Sequence, residues 1–185
     1  MKKYILTTMS LMFFASLFAQ DDQTRDDDAL RSNEIKINAL YTVVGAFDIT
    51  YERLLNQESG VGLNVVLPYD KDIKDEINYY ISPYYRIYFG NKYASGFFLE
   101  GFGMLHSTNY NESLGLLDGF DPFIDIVEIK KTETNFALGF GAGGKWYTKS
   151  GFVGELSFGV GRNLMESDYY SDFVGKIAIT VGYRF

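Results

Sequence analysis

The sequence contains three glutamates that are candidates for acid–base catalysis. Glu52, Glu100 and Glu155 each fall on the polar side of a segment in which polar and apolar residues alternate. Carboxylates that lie close to each other can act as general acid and general base. The cationic residues expected at a similar depth are Arg86, Lys145 and Lys176. With these cations nearby, we interpret the carboxylates as part of a structural ion-pair network.

The single histidine, His106, is the other candidate for catalysis. The sequence around it reads His106-Ser107-Thr108-Asn109, which resembles the His-x-Ser-Asn stretch of the lipid A deacylase barrels, with Thr in place of Ser. Residues two apart on a strand share a face, so His106 could activate the Thr108 hydroxyl as a nucleophile. The alternative, which we prefer, is a histidine at a strand end beside a loop, in a protein that is not an enzyme.

The composition excludes several other kinds of site. The chain has no Cys and one His among 185 residues, so it offers no disulfide framework, Cys-based zinc site or thiol nucleophile. A glycine-rich run at 139–144 lies inside an alternating segment and is not followed by the Gly-Lys-Ser/Thr of a phosphate-binding loop. The acidic stretch at 70–76 is interrupted by lysines. We therefore expect no metal and no cofactor, and the net charge of −7 argues against a nucleic-acid partner.

The amino-terminal residues have the features of a secretory signal peptide. Lys2 and Lys3 precede an apolar run at 4–18, and small Ala19 follows it. The sequence thus predicts a signal peptide at 1–19, a flexible acidic leader at 20–33 and one barrel domain at 34–185.

From residue 34 onward the hydrophobicity has a period of two, which is the period of a β-strand. The pattern predicts strands at 34–41, 47–52, 61–67, 79–89, 96–106, 135–147, 152–160 and 173–185. Most have the length that a tilted strand needs to cross a membrane, and an even number of antiparallel strands is what a closed bacterial barrel requires. The predicted fold is an all-β, eight-stranded antiparallel transmembrane barrel with up-and-down connections.

The connections between these strands alternate in length. Those at 56–59, 90–95 and 148–150 are short, whereas those at 69–77, 107–134 and 162–171 are longer. Outer-membrane barrels place short turns in the periplasm and long loops outside, so both termini are predicted to be periplasmic.

The longest connection, 107–134, is unusually apolar for a loop. Its apolar residues include Leu116, Leu117, Phe120, Phe123 and Ile124. It could extend two strands into a projecting hairpin, contact an outer-membrane protein partner, or fold over the barrel mouth.

The polar faces of the predicted strands carry charges of both signs. These residues are Lys36, Asp48, Glu52, Arg86, Glu100, Lys145, Glu155, Lys176 and Arg184. In a barrel of eight strands they would fill the lumen as an ion-pair network, while aromatic residues near the strand ends would form girdles at the two membrane interfaces. A soluble lipocalin-like ligand-binding barrel is the alternative, with the apolar faces turned inward.

The last strand ends in Gly182-Tyr183-Arg184-Phe185, which resembles the signal read by the outer-membrane assembly machinery, with Tyr183 and Phe185 as its aromatic residues. Together with the eight strands, residues 34–185 resemble small barrels of the OmpX and OmpA-membrane-domain kind, and more closely an uncharacterised small barrel family of Bacteroidota. The resemblance implies an outer-membrane location, contact with outer-membrane lipid and passage through the barrel assembly machinery. It implies a structural or interaction role rather than catalysis.

Overall fold

A computed structural model describes residues 31–116, 125–165 and 172–185. Its eight strands are β1 Asn33–Asn38, β2 Ala46–Leu54, β3 Ser59–Pro68, β4 Ile77–Tyr88, β5 Gly96–Leu116, β6 Asp125–Tyr147, β7 Phe152–Asn163 and β8 Phe173–Arg184. Each strand pairs antiparallel with the next, and β8 pairs with β1, which closes the sheet into a barrel. The predicted up-and-down barrel of eight strands is confirmed.

The two ends of the barrel differ in their connections. At one end, here called the turn end, short turns join β2 to β3, β4 to β5 and β6 to β7. The start of β1 and the end of β8 lie at the same end, because Asn33 and Phe185 exchange backbone hydrogen bonds of 3.0 and 2.8 Å. The opposite end, here called the loop end, carries two short helices and the extension of β5 and β6.

The first predicted strand is too long at its carboxyl end. β1 stops at Asn38, and helix α1 covers Ala39–Val44. The Asn38 side chain accepts a hydrogen bond of 3.1 Å from the Leu40 amide and so caps the helix, which ends at Gly45 with φ at 121°. This capping replaces the strand that the alternation of 39–41 predicted.

Helix α2 covers Lys71–Glu76 within the acidic stretch that was expected to be a loop. Asp70 caps it by accepting a hydrogen bond of 3.0 Å from the Asp72 amide. None of the helices in the described ranges is both long and apolar enough to cross a membrane.

The largest departure concerns the connection predicted at 107–134. β5 continues to Leu116 and β6 begins at Asp125, so the strands have 21 and 23 residues. Their pairing runs without interruption from Gly96–Lys145 to Leu116–Asp125. A projecting hairpin, one of the three alternatives for this segment, therefore forms most of it.

Candidate functional site

The barrel wall presents polar side chains inward and apolar side chains outward. Along β2 every second residue is buried, and the residues between them are exposed. Asp48 and Glu52 are among the buried residues, whereas Phe47 and Ile49 are about half exposed. This arrangement contradicts the soluble lipocalin-like alternative, which places the apolar face inside.

The nine charged side chains predicted for the lumen all lie there. Lys176, the most exposed of the eight that form ion pairs, has 9% of its side chain accessible, and Asp48 is buried. Glu34 is a tenth, fully buried member that the sequence analysis missed. It alternates with Lys36 in the same segment, and that alternation is the signal that could have identified it. Among the described residues the lumen thus holds five carboxylates and five cations.

Glu52 is the centre of the network. Its carboxylate accepts hydrogen bonds from Arg86 Nη1 at 3.1 Å, from Lys145 Nζ at 3.2 Å and from Lys36 Nζ. It also accepts from the hydroxyls of Tyr84, at 3.0 Å, and Tyr88. Because both oxygens of this carboxylate are occupied by these donors, Glu52 fits a structural role better than acid–base catalysis.

Arg86 links Glu52 to the two other candidate carboxylates. Its Nε donates to Glu100 at 2.7 Å and its Nη1 donates to Glu155 at 2.8 Å. Lys176 donates to the second oxygen of Glu100 at 2.7 Å. The guanidinium also stacks on the Phe98 ring, with 4.2 Å between its carbon and the ring centroid. The three glutamates are therefore bridged by cations rather than placed against one another.

The lumen is closed at the turn end by the turn between β4 and β5. Arg184, anchored on Glu34 at 2.7 Å, donates to the carbonyl oxygens of Tyr93 at 2.9 Å and Ala94 at 3.0 Å. Ala94 thereby packs into a buried apolar cluster. The other buried members of that cluster are Leu54, Tyr88 and Phe98. The apolar cluster and the ion pairs therefore both occupy the interior of the barrel.

Asp48 is the one lumenal carboxylate, within the described residues, that forms no ion pair. It accepts hydrogen bonds from Asn38 Nδ2 at 2.8 Å and from Asn64 Nδ2. Asn64 Oδ1 has no hydrogen-bond partner among the described residues, and Asp48 and Asn64 both line a small polar cavity. A cavity with such an acceptor suits an ordered water molecule.

Aromatic side chains fill the lumen on the loop side of the ion pairs, and glycines make room for them. The buried residues of this cluster are Ala46, Val66, Tyr80, Tyr84, Phe102, Met104 and Ala137. A Cβ added at Gly62 would overlap the Tyr84 ring, and one at Gly139 would overlap the Phe102 ring. Glycines of β6 thus make room for aromatic rings, and a Cβ added at Gly143 would likewise overlap the Phe98 ring.

An apolar belt with paired aromatic rings surrounds the barrel. At the turn end Phe152 packs edge-on against Tyr183, with 5.8 Å between the ring centroids, and Phe89 lies 5.9 Å from Phe97. At the loop end Phe47 lies 4.8 Å from Tyr69. Tyr183 and Phe185, the residues expected to form the assembly signal, point outward and are 43% and 52% exposed.

The β5–β6 hairpin rises beyond its neighbouring strands at the loop end. β4 pairs with β5 as far as Thr108, and β7 pairs with β6 only from Ala137 onward. Helix α2 is attached to the hairpin, because Lys130 Nζ binds Asp75 Oδ1 at 2.7 Å and Asn109 Nδ2 donates to the Lys74 carbonyl at 3.0 Å. The hydrogen bond and charge of Lys130 hold the pKa of the Asp75 carboxyl below its usual value.

Of the residues predicted for hairpin contacts, one lies within the described ranges. Leu116 ends β5. Leu117, Phe120, Phe123 and Ile124 fall outside the described residues, as do the predicted signal peptide and most of the leader.

His106 lies inside the wall near the loop end and is largely buried. Its Nε2 is 2.9 Å from Asn163 Oδ1. In the described ranges no hydrogen bond joins it to Thr108, and the Asn109 side chain is bound to Asn78, Thr132 and Lys74. No group of three potential metal ligands occurs among the described residues.

Comparisons with known proteins bear on the fold. No protein-family model and no curated protein matches the sequence. The N-terminal β-barrel domain of OprF from Pseudomonas aeruginosa matches the structure with a TM-score of 0.51 at 16% identity, over 84% of this chain and 98% of that domain. This chain has the fold of the small outer-membrane β-barrels. The outer-membrane protein Ail from Yersinia pestis, studied in a phospholipid bilayer nanodisc, matches with a TM-score of 0.39 at 17% identity, over 84% of this chain and 99% of that one. Neither match bears on the expected relation to the Bacteroidota family.

Proposed function

We propose that this protein spans the bacterial outer membrane with its turn end in the periplasm and its loop end outside the cell. The belt of exposed apolar residues supports this placement, because a wall of Leu, Ile, Val and Phe side chains fits a lipid environment and not water. The paired aromatic rings at both ends fit the two membrane interfaces. Both ends of the barrel domain then lie in the periplasm.

The proposed role is structural or interactive and is exerted at the loop end. The observation that carries this proposal is the β5–β6 hairpin, in which Thr108–Glu133 to Leu116–Asp125 pair with each other beyond the wall. A two-stranded ribbon with an apolar tip sequence is suited to contact another protein of the outer membrane. Outer-membrane lipid and, during biogenesis, the barrel assembly machinery are the other proposed partners.

The filled lumen argues against a role as a porin. Barrels with an open aqueous channel have about sixteen strands, whereas here bridged charges and an apolar cluster occupy a barrel of eight. In a planar bilayer we expect no stable porin-sized conductance steps. Regular steps of that size would contradict a sealed lumen.

The first experiment tests the membrane barrel itself. Outer-membrane fractions are extracted with detergent and run on a gel with and without boiling. We expect a band whose mobility changes on boiling, since a closed barrel resists the detergent until it is heated. A protein recovered without detergent and without this change would overturn the proposal.

The second experiment tests the hairpin. Residues 111–130 are replaced by Asn-Gly, which forms a tight turn between two strands, and complexes are compared on native gels. We expect the shortened barrel to keep its heat-dependent mobility but to lose a larger complex that the full-length barrel forms. A complex of unchanged size would show that the hairpin is not the contact.

A further inference from the structure

The outward face of the barrel wall carries two charged side chains among the described residues, and both are arginines. Arg53 is near the turn end of β2, and Arg162 is near the loop end of β7. The other outward positions of these two strands are apolar or glycine. An arginine on a lipid-facing wall needs a polar partner at the depth where its head group lies.

Arg53 belongs to a small polar cluster on that wall. Its Nη1 donates to Asn33 Oδ1 at 2.8 Å, and the Tyr51 hydroxyl donates to the same oxygen at 2.7 Å. In the part of the chain that the structure describes, the Arg53 side chain makes no other hydrogen bond and Asn33 Nδ2 makes none. The cluster thus presents unused N–H donors of a guanidinium and of an amide side by side, a donor set suited to phosphate oxygens.

Two rows of outward-facing, mainly apolar side chains begin beside the Arg53–Asn33 pair and extend toward the loop end. The register places Ile35, Tyr51 and Leu63 beside one another on β1, β2 and β3, and the next row is Ile37, Ile49 and Val65. Of these six side chains, Ile35, Ile37, Ile49 and Tyr51 are 46–50% exposed. A lipid whose head group contacts Arg53 would lay an acyl chain along these rows.

The charge at the turn end favours an anionic head group. The described cations there are Arg31, Arg53, Lys92 and Lys149, and the described acidic residue is Glu58. Arg31 extends toward the β6–β7 turn, where its Nη1 donates to the Lys149 carbonyl at 3.3 Å. The described residues of the turn end therefore carry a net positive charge, although the chain as a whole has a net charge of −7 and an acidic leader is predicted to precede β1.

We propose that Arg53 and Asn33, with Tyr51 beside them, bind the phosphate of an anionic phospholipid in the leaflet at the turn end. Arg53 supplies the charge, Asn33 Nδ2 supplies a second donor, and the Tyr51 ring separates the head group from the acyl region. This proposal rests on the membrane location proposed above and names a lipid for one position of the wall.

The test uses native mass spectrometry of the refolded barrel in a neutral detergent, with phosphatidylglycerol as the probe. Arg53→Gln is compared with Lys149→Gln, which removes the same charge from the same end but not from the cluster. We expect Arg53→Gln to weaken binding of the first phosphatidylglycerol about tenfold. Lys149→Gln should change it by less than about twofold. Asn33→Ala should fall between the two, and phosphatidylcholine should bind the wild type more weakly than phosphatidylglycerol.

Several outcomes would overturn the proposal. Equal losses in Arg53→Gln and Lys149→Gln would mean that diffuse charge alone attracts the lipid. Unchanged phosphatidylglycerol binding in Arg53→Gln would show that Arg53 does not form a lipid site. Equal binding of phosphatidylcholine and phosphatidylglycerol to the wild type would show the same for an anionic lipid. Displacement of the lipid by inorganic phosphate at matched concentration would identify free phosphate as the ligand instead. A barrel that shows heat-dependent mobility but no Arg53-dependent binding refutes this inference alone, whereas a protein that dissolves without detergent refutes the membrane location.

Discussion

Arg86 Nη1 lies 2.8 Å from Glu155 Oε2, although the two residues belong to β4 and β7 and are 69 positions apart in the chain. The contact crosses the lumen, because two strands lie between β4 and β7 in one direction around the barrel and four in the other. The same guanidinium nitrogen also binds Glu52 on β2 at 3.1 Å. The Arg86 side chain thus connects β4, β7 and β2. The side chains in the lumen therefore serve as the core of the molecule.

The central position of Glu52 predicts a large loss of stability when its charge is removed. In Glu52→Gln the cations Lys36, Lys145 and Arg86 lose a shared partner inside a closed space. Breaking a buried pair from one side costs about 3–5 kcal/mol. The urea midpoint of the folded, heat-modifiable band should therefore fall markedly in detergent micelles.

Glu58→Gln is the control for this variant, because Glu58 is an exposed residue of the turn that joins β2 to β3. It should shift the free energy of unfolding by no more than about 0.5 kcal/mol. Equal midpoints for the two variants would show that the network contributes nothing specific.

The close approach of Gly62 to Tyr84 predicts that even a methyl group is too large at this position. A Cβ at residue 62 meets the Tyr84 ring within the packed lumen, and overpacking a core costs about 1–3 kcal/mol. Gly62→Ala should therefore lower the urea midpoint. Gly101→Ala is the matched control, since no atom lies within 4 Å of a Cβ added there.

A double variant identifies the cause of the Gly62 effect. Tyr84→Leu alone should destabilise the barrel, because it removes the hydrogen bond to Glu52. Adding Gly62→Ala to it should then cost little more. Strictly additive losses would mean that the ring is not what excludes the methyl group.

The period of two in the sequence predicts much of this architecture because each wall residue faces either outward or into the lumen. That is why Lys36 and Arg184, at opposite ends of the chain, could both be assigned to the interior. The pairing of the charges could not be predicted, since whether Arg86 reaches Glu155 or another carboxylate depends on the tilt and stagger of the closed sheet. The end of β1 was missed because the Asn38 cap competes locally with the strand. The sequence offers the hairpin only as one of three alternatives for 107–134, because apolar residues there also suit contact with a partner or a loop folded over the barrel mouth.

The contact between α2 and the hairpin predicts an acid-dependent change at the loop end. Hydrogen bonding and the charge of Lys130 lower the pKa of Asp75 in the folded protein. The pair therefore contributes stability above the ordinary pKa of an aspartate, and this contribution is lost as the pH falls through the lowered value. A carboxyl-detected NMR titration should place the Asp75 midpoint below that of a free aspartate.

Lys130→Gln should return the Asp75 midpoint to the ordinary range. Both groups are exposed to solvent, so added salt should reduce the shift in the wild type. Lys131→Gln, at the next position of the same strand, is the control and should leave the midpoint near the wild-type value. An equal change of the Asp75 midpoint in Lys130→Gln and Lys131→Gln would indicate a general electrostatic effect of nearby positive charge rather than the direct contact with Lys130.

The hydrogen bond between His106 and Asn163 predicts that removal of the histidine leaves membrane lipids unchanged. A hydrolase would need His106 Nε2 to face a hydroxyl, but here this nitrogen lies 2.9 Å from an amide oxygen on β7. In cells that produce His106→Ala in place of the wild type, lipid A analysed by mass spectrometry should keep the same acyl chains. Asn163→Ala should give the same lipid profile and should lower the stability of the loop end as His106→Ala does, since each breaks the same contact. Additional acyl chains on lipid A in the His106→Ala strain, with protein levels unchanged, would instead establish the deacylase and make Thr108 the next residue to replace.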